Sequence, residues 1–327
     1  MSSHFHQTHG TRARTANLSR GSGRLAKTPE RCPYCAGISV ARRGKRVNKF
    51  MVRQLWRCGS CRRVFTAGLI HHKQYPPKTV VDTLLWYYRG YSASETLRLI
   101  ARRNGRAPST NTLWNWISEY RDLCSYARQR EELKRRFNPH QLIRSVKLYH
   151  RQVYNYSIHR GKIDALLGPG SEHRHFWRLG EYLEDMLKNC PHELFTDEGR
   201  SARASDSKTR FDRSQVSIME KQNRATEAAA FVLSTVSNNR LRHETLQRFM
   251  LSCDSVTIAV EVPIVILPAD FRGLRARGFV IPDELSRITT GHIDFLQVRN
   301  GAVHILDYKP DARTNKPIAQ LTRTRWR

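Results

Sequence analysis

Asp294, Asp307 and Lys309 lie within GHIDFLQVRNGAVHILDYKP, residues 291–310, and their spacing can carry chemistry. HIDFLQV and AVHILDY are rich in β-branched and aromatic residues and read as strands, and Asn300-Gly301 between them is the preferred two-residue hairpin turn of type I′. With that turn Arg299 faces Ala302. Counting outward then sets Asp294 opposite Asp307, with Cβ atoms about 4.5–5.5 Å apart. Lys309 is two residues further on and projects to the same face, opposite His292. Two facing carboxylates repel. A divalent cation with oxygen ligands, Mg²⁺ or Mn²⁺, would hold them together. The matching chemistry is phosphodiester hydrolysis, in which the metal acidifies a bound water and polarises a phosphoryl oxygen. Lys309 would stabilise the developing negative charge or position the water. The competing reading is an exposed face on which the acids pair with Lys or Arg.

A second set of candidate ligands stands near the N-terminus. CPYC supplies Cys32 and Cys35, CGSC supplies Cys58 and Cys61, and 22 residues separate the pairs. Two C-x-x-C knuckles at this spacing point to one tetrahedral Zn²⁺ site of structural type, since four thiolates leave no open position for substrate. The alternative, two redox pairs, lacks a surrounding βαβ pattern. Pro33 is expected to fix one knuckle and Gly59 to give the other its conformational freedom. The intervening ISVARRGKRVNKFMVRQLWR suits a hairpin, with RRVFTA as an added strand. Cys124, Cys190 and Cys253 stand alone and are expected to be buried thiols.

Several elements must present these residues. After YPPK a helix is expected over 78–88, stopping near Gly90. A second follows Ser92 or Ser94 and ends before Gly105, with Leu97, Ile100 and Ala101 on its apolar face. A third is capped by Ser109 or Thr110 and runs to about residue 120, with Leu113, Trp116 and Ile117 in the core. Three short helices at 77–122 suit a helix-turn-helix reader of DNA. Asn111, Thr112 and Asn115 would face the major groove, and Arg102, Arg103 and Arg106 would hold phosphates. The plainer reading is a helical bundle with a basic surface. Residues 139–197 read as a helical segment, with Leu142, Val146, Tyr149 and Val153 as a buried stripe. The histidines there (His140, His150, His159, His173, His175) count as surface or packing residues. Residues 198–213 are polar and read as a linker. Helices are then expected at 216–236 and 241–252, followed by a β-run in VTIAVEVPIVIL.

Charge sets the class of partner. The formal net charge is +29 over 327 residues, and residues 1–150 alone carry +23 (30 Lys and Arg against 7 Asp and Glu). Such a field favours polyanions, nucleic acid first. Residues 1–30 read as a disordered basic arm without the apolar run of a secretory signal. No stretch reaches membrane-spanning length, so an intracellular, cytoplasmic protein without membrane attachment is expected.

Two resemblances sharpen these expectations. CPYC…CGSC followed by YYRGYSASETLRLI…PSTNTLWNWISEY, roughly residues 30–122, is similar to the N-terminus of insertion-sequence transposases, which carry a zinc ribbon and a helix-turn-helix; it implies DNA binding. GHIDFLQVRNGAVHILDYKP resembles the core of the PD-(D/E)XK nuclease superfamily in its RecB-like branch. That resemblance implies metal ligation by Asp294 and Asp307 and a catalytic role for Lys309. RHETLQRFML is similar to the branch's helix with a metal-binding His, here His243. AVEVPIVI resembles the strand in which Glu261 recurs, and KPIAQL the segment bearing Gln320. Many nucleases of this type act as homodimers. The branch continues past its Gln into a helix with a Tyr four residues on; here Thr324 occupies that place, only 18 residues follow Lys309, and a C-terminally truncated core is expected. The expected fold class is therefore α+β and multidomain: a zinc ribbon (31–70), a trihelical helix-turn-helix (77–122), a helical segment (139–197), a linker (198–213), and a restriction-endonuclease-like α/β core (214–327). The expected function is a metal-dependent DNA endonuclease targeted by its own N-terminal module. The alternative is a non-catalytic DNA-binding protein, such as a regulator or a decayed mobile-element product. A transposase with an acidic-triad core is disfavoured, because no third carboxylate sits at helical spacing after a strand pair.

Overall fold

The structure, a computed structural model, describes residues 28–48, 51–66, 74–196, 201–203, 223–236, 238–276 and 287–309. The chain is mixed α+β and divides into two compact units, Met1–His72 and Lys73–Arg327. Most of the basic arm, linker residues 204–213, residues 216–222 of the helix expected at 216–236, Gln320 and the terminal TRTRWR lie outside the described residues. Among the described residues no helix is long and apolar enough to cross a membrane.

In the first unit β1 (Val40–Val47), β2 (Val52–Cys58) and β3 (Val64–Thr66) form an antiparallel sheet in that order. Its core is small: Cys32, Trp56, Cys58 and Phe65 are buried, with Val40 and Cys61 packed against them. A core this small among the described residues is characteristic of modules that draw on a cross-link or metal. Gly59 does a different job from the one expected. Its φ is not positive; left-handed backbone falls instead at Ala36 (φ 56°) and Arg62 (φ 58°). Gly59 is needed for close approach, since its N–H donates to Ser39 O at 2.8 Å and an added Cβ would lie 2.4 Å from Ser39 Oγ.

The second unit opens with α1 (Pro77–Tyr88), α2 (Ala93–Asn104) and α3 (Thr110–Glu119), close to the expected bounds. Ser92 caps α2 in a reciprocal capping box with Glu95, Gly105 ends it in the left-handed region, and Ser109 caps α3. Ile100, Leu113 and Trp116 are buried as their spacing requires. The next helix, α4 (Ala127–Arg136), sends a buried arginine back into this group. Arg130 Nε donates to Tyr87 O at 3.0 Å, Nη2 donates to Tyr91 O at 2.7 Å, and the guanidinium lies 3.6 Å from the Tyr87 ring centroid.

Residues 139–197 overturn the expectation of a helical segment. Among the described residues of this stretch only α5 (Pro139–Leu142), α6 (Arg160–Leu167), α7 (Trp177–Met186), α8 (His192–Thr196) and one 3₁₀ turn are helical. Between α5 and α6 run two strands, β4 (Ile143–His150) and β5 (Gln152–His159), paired antiparallel from Ile143↔His159 to His150↔Gln152 around Arg151 (φ 60°). The reason is periodicity. Leu148 and His150 are buried while Lys147 and Tyr149 are exposed, an alternation of two that β-branched and aromatic residues favour. A helical stripe would have buried Tyr149 and Val153, which are 65% and 58% exposed. The linker expected at 198–213 is also part of the fold at one point. Ser201–Arg203 forms β6, which pairs in parallel with Ile288–Thr290; three residues are too few to show a strand pattern in the sequence.

After α9 (Arg224–Leu233) and α10 (Asn239–Cys253) come β7 (Thr257–Ile266), α11 (Pro268–Ala276), β8 (Ile288–Arg299) and β9 (Ala302–Leu306). The sheet order is β4-β5-β7-β8-β6, with β9 also paired to β8, and every pairing but β6·β8 is antiparallel. β7 is buried along all ten residues, because α10 packs against it as do α6 and α7. Cys124, Cys190 and Cys253 are buried.

Candidate functional site

The C-terminal hairpin forms in the expected register. Arg299 pairs with Ala302 and Phe295 with Leu306, and Asn300 (φ 51°) and Gly301 (φ 68°) make the turn. Asp294 and Asp307 are therefore the next residues outward, and each carboxyl shifts the other's pKa. Lys309 Nζ lies 3.1 Å from Asp307 Oδ2, and the Tyr308 N–H donates to Asp294 Oδ2 at 3.0 Å.

Two further elements complete the constellation. α10 carries His243, whose Nε2 is 2.8 Å from Asp294 Oδ2 and whose Nδ1 is 3.7 Å from Glu261 Oε1. β7 carries Glu261, which stands opposite Asp294 by the flanking pairs Val260↔Phe295 and Val262↔Ile293. Glu261 has φ 53° in the middle of a strand, an unfavourable conformation for a residue with a Cβ. Backbone strain of about 1–3 kcal/mol persists where the surroundings over-determine it, typically at functional sites. One ligand atom each from His243, Glu261 and Asp294 lies within 4.8 Å of the others. Asp307 stands beside this triad, ion-paired with Lys309. His243, Glu261, Asp294 and Lys309 all line one cavity of about 470 Å³.

Burial sets the charges. It pushes Asp307 up, helped by the Asp294 carboxylate, to about 7 against the pull of Lys309. Burial also raises Glu261, more than its bond to Gln247 lowers it. Burial pushes Asp294 up and His243 down, but their mutual hydrogen bond and charge, added to the other neighbours (Asp307 and the Tyr308 N–H at Asp294; Glu261 and Asp307 at His243), together outweigh it, lowering Asp294 and raising the imidazole. Near neutral pH the aspartate pair therefore holds fewer than two negative charges, as like charges in contact must. A donor set of carboxylates and one imidazole around a polar cavity fits a hard divalent cation.

Sequence reasoning missed three contributors. Gln247, one turn after His243, donates from Nε2 to Glu261 Oε1 at 2.7 Å and to Asp294 O at 3.4 Å. Its i,i+4 spacing from His243 was the available signal. Arg203 from β6 donates to Tyr154 Oη at 2.9 Å and lines the cavity; no local pattern marks it. The third is a histidine chain. His150 Nδ1 is 2.9 Å from His292 Nε2 and His150 Nε2 is 2.9 Å from His192 Nδ1. His150, expected to be a surface or packing residue, is indeed buried and stacked on Phe195, and it also joins His292 and His192. Burial and the neighbouring imidazoles pull His150 down to about 4 and His292 to about 3. His140 and His175 are exposed, and His159 and His173 buried.

At the N-terminus Cys32, Cys35, Cys58 and Cys61 present sulfurs within 4.8 Å of one another. Cys32–Cys61 and Cys35–Cys58 are each 3.6 Å apart, against about 3.8 Å for the edges of a zinc tetrathiolate with about 2.3 Å bonds. The Cys61 N–H donates to Cys58 Sγ at 3.5 Å and draws that thiol down to about 6. Four soft thiolates in this arrangement are compatible with structural zinc. Along the helices, Arg102 and Arg103 are exposed in the last turn of α2, Arg106 is exposed just beyond it, and Asn111 and Asn115 are exposed on α3. Thr112 is half-buried and bonded to Ser109 Oγ, Oγ1 to Oγ at 2.9 Å.

No protein-family model, curated protein or solved structure matches the chain.

Proposed function

We propose that the chain is a metal-dependent DNA endonuclease with a restriction-endonuclease-like core, targeted by a zinc ribbon and a helix-turn-helix. The observation that carries this reading is the convergence of His243, Glu261 and Asp294 within 4.8 Å, with Lys309 in the same cavity. Asp294, Glu261, His243 and Asp307 would hold Mg²⁺ or Mn²⁺; the imidazole among the oxygens favours Mn²⁺. When bound, the cation acidifies water and polarises a phosphoryl oxygen.

The protein's own groups do the rest. Lys309 ion-pairs with Asp307 and would stabilise the negative charge developing on a bound phosphodiester. Gln247 holds the Glu261 carboxylate and so fixes its direction. Arg203 and Lys309 line the same cavity as Glu244, Glu261 and Asp294, and would pair with a DNA phosphate there. Upstream, Arg102, Arg103 and Arg106 would contact phosphates and Asn111, Asn115 and Thr112 base edges. The net charge of +29 supports a polyanionic partner.

The deciding experiment incubates supercoiled plasmid with the full chain and Mg²⁺ or Mn²⁺, beside Asp294→Ala and Lys309→Ala. Metal-dependent nicking by the wild type alone supports the assignment. Equal nicking by all three rejects it. DNA retention without nicking returns the chain to a non-catalytic DNA-binding protein.

A further inference from the structure

We propose that His150, Cys190 and His192 form a second zinc site, distinct from the four N-terminal cysteines and from the carboxylate cluster. The three residues offer one ligand atom each within 4.8 Å of the others. His150 comes from the end of β4, and Cys190-Pro191-His192 from the turn that enters α8. His150 Nε2 lies 2.9 Å from His192 Nδ1 and 3.8 Å from Cys190 Sγ. A tetrahedral zinc needs about 3.3 Å between two nitrogens and about 3.6 Å between nitrogen and sulfur, from bonds of about 2.0–2.1 and 2.3 Å. Shifts of a few tenths of an ångström therefore convert one arrangement into the other.

The surroundings are those of a ligand set. A metal-bound histidine characteristically gives its second ring N–H to an acceptor that fixes its tautomer. His150 Nδ1 has that acceptor in His292 Nε2 at 2.9 Å, which leaves the Nε2 lone pair directed to Cys190 and His192. Phe195 stacks on His150 at 3.9 Å and 11°, and Tyr154 on His292 at 3.7 Å and 9°, so both rings are held. Two imidazoles and a thiolate are a borderline-soft set that selects zinc over Mg²⁺, and three protein ligands leave a fourth position for water. His292 lies two residues before Asp294 on β8, on the same face and about 7 Å away. Zinc here would tie β4, α8 and β8 into one wall of the cavity. The rival is a metal-free chain of hydrogen-bonded histidines.

Zinc content separates the two. The full chain, purified without a metal-chelating tag and dialysed against trace zinc, is assayed by plasma mass spectrometry beside His192→Ala, Cys190→Ser and the pair Cys58→Ser with Cys61→Ser. Two zinc ions per chain are expected in the wild type and one in each variant. His192 is exposed, so His192→Ala keeps the test valid if Cys190→Ser misfolds, with circular dichroism as the control. Cobalt loading gives a second readout: the variant lacking Cys58 and Cys61 should keep one Co²⁺ with a thiolate charge-transfer band about a quarter as intense as that of the four-cysteine site, in proportion to its single sulfur. An unchanged zinc content in folded His192→Ala, or no thiolate band in the cobalt-loaded variant lacking Cys58 and Cys61, overturns the proposal.

Discussion

Replacing Lys162 with Met should abolish a rise in stability between pH 7 and pH 9. Lys162 sits on α6, fully buried, and its Nζ donates to Leu251 O at 2.6 Å and Thr257 O at 3.2 Å. Leu251 lies in the last turn of α10, where carbonyls lack helical partners. The Lys162 amino group therefore closes the end of the helix that carries His243 and Gln247, and ties it to the start of β7, the strand of Glu261. Tyr126 supplies a ring face 4.8 Å away. Burial nevertheless lowers the Lys162 pKa to about 7, against the pull of Asp254 and Cys253. An unfolded lysine keeps its proton to about 10.4. Between these values the unfolded chain binds more protons than the folded one, so stability increases as pH rises, by up to about 1.4 kcal/mol per unit. From pH 7 to pH 9 the gain is roughly 2 kcal/mol after allowing for half-titration at pH 7. With a urea slope of about 3 kcal/mol/M, the midpoint should rise by roughly 0.7 M. Met keeps the length but leaves two carbonyls without a donor, at a cost of about 1–3 kcal/mol each. The variant should be less stable than the wild type at pH 9, and the gap should narrow by about 2 kcal/mol on going to pH 7. Urea melts followed by tryptophan fluorescence at pH 7, 8 and 9 measure this. Other titrating groups are common to both proteins and cancel. Parallel pH dependences for the two proteins would refute the reasoning.

At the carboxylate cluster, Glu261→Gln keeps the shape and the contact with Gln247 but loses the charge. Thermal melts with Mn²⁺ at a hundred times its Kd should show about 2.7 kcal/mol of stabilisation in the wild type and none in the variant, while the metal-free variant should be at least as stable, because a raised-pKa carboxyl no longer has to be buried. Equal Mn²⁺ stabilisation in both would remove Glu261 from the ligand set. Ser92→Ala breaks the α2 capping box and should cost about 1 kcal/mol in denaturant melts; a change below a few tenths would mean that packing alone sets the helix start. For DNA, Arg102→Ala with Arg103→Ala should flatten the slope of log K against log salt by about 2 on a duplex probe. An unchanged slope would place the phosphate contacts elsewhere.

How much was legible in the sequence follows from how local each signal is. The hairpin register, the capped helices α2 and α3 and the four-cysteine pairing rest on a turn dipeptide, on Ser-x-x-Glu or Ser ahead of an apolar period, and on C-x-x-C spacing, so a short stretch was enough to fix each. Asp294, Asp307 and Lys309 belong with these, because Asn300-Gly301 sets which residues face one another. His243 and Glu261 were reached only through a family likeness, and it took tertiary structure to bring α10 and β7 to the hairpin. The strands β4 and β5 were misread because Leu142, Val146, Tyr149 and Val153 also fit a helical period, and the outcome depended on β7 offering β5 an edge to pair with. That edge is a distant stretch of chain, as are the partners of Arg203, Lys162 and the histidine chain. Pairing rules within a segment determine which side chains share a face; only the closing of the sheet and its helices decides which faces meet, because burial and hydrogen bonding between remote segments are energies that no single segment contains.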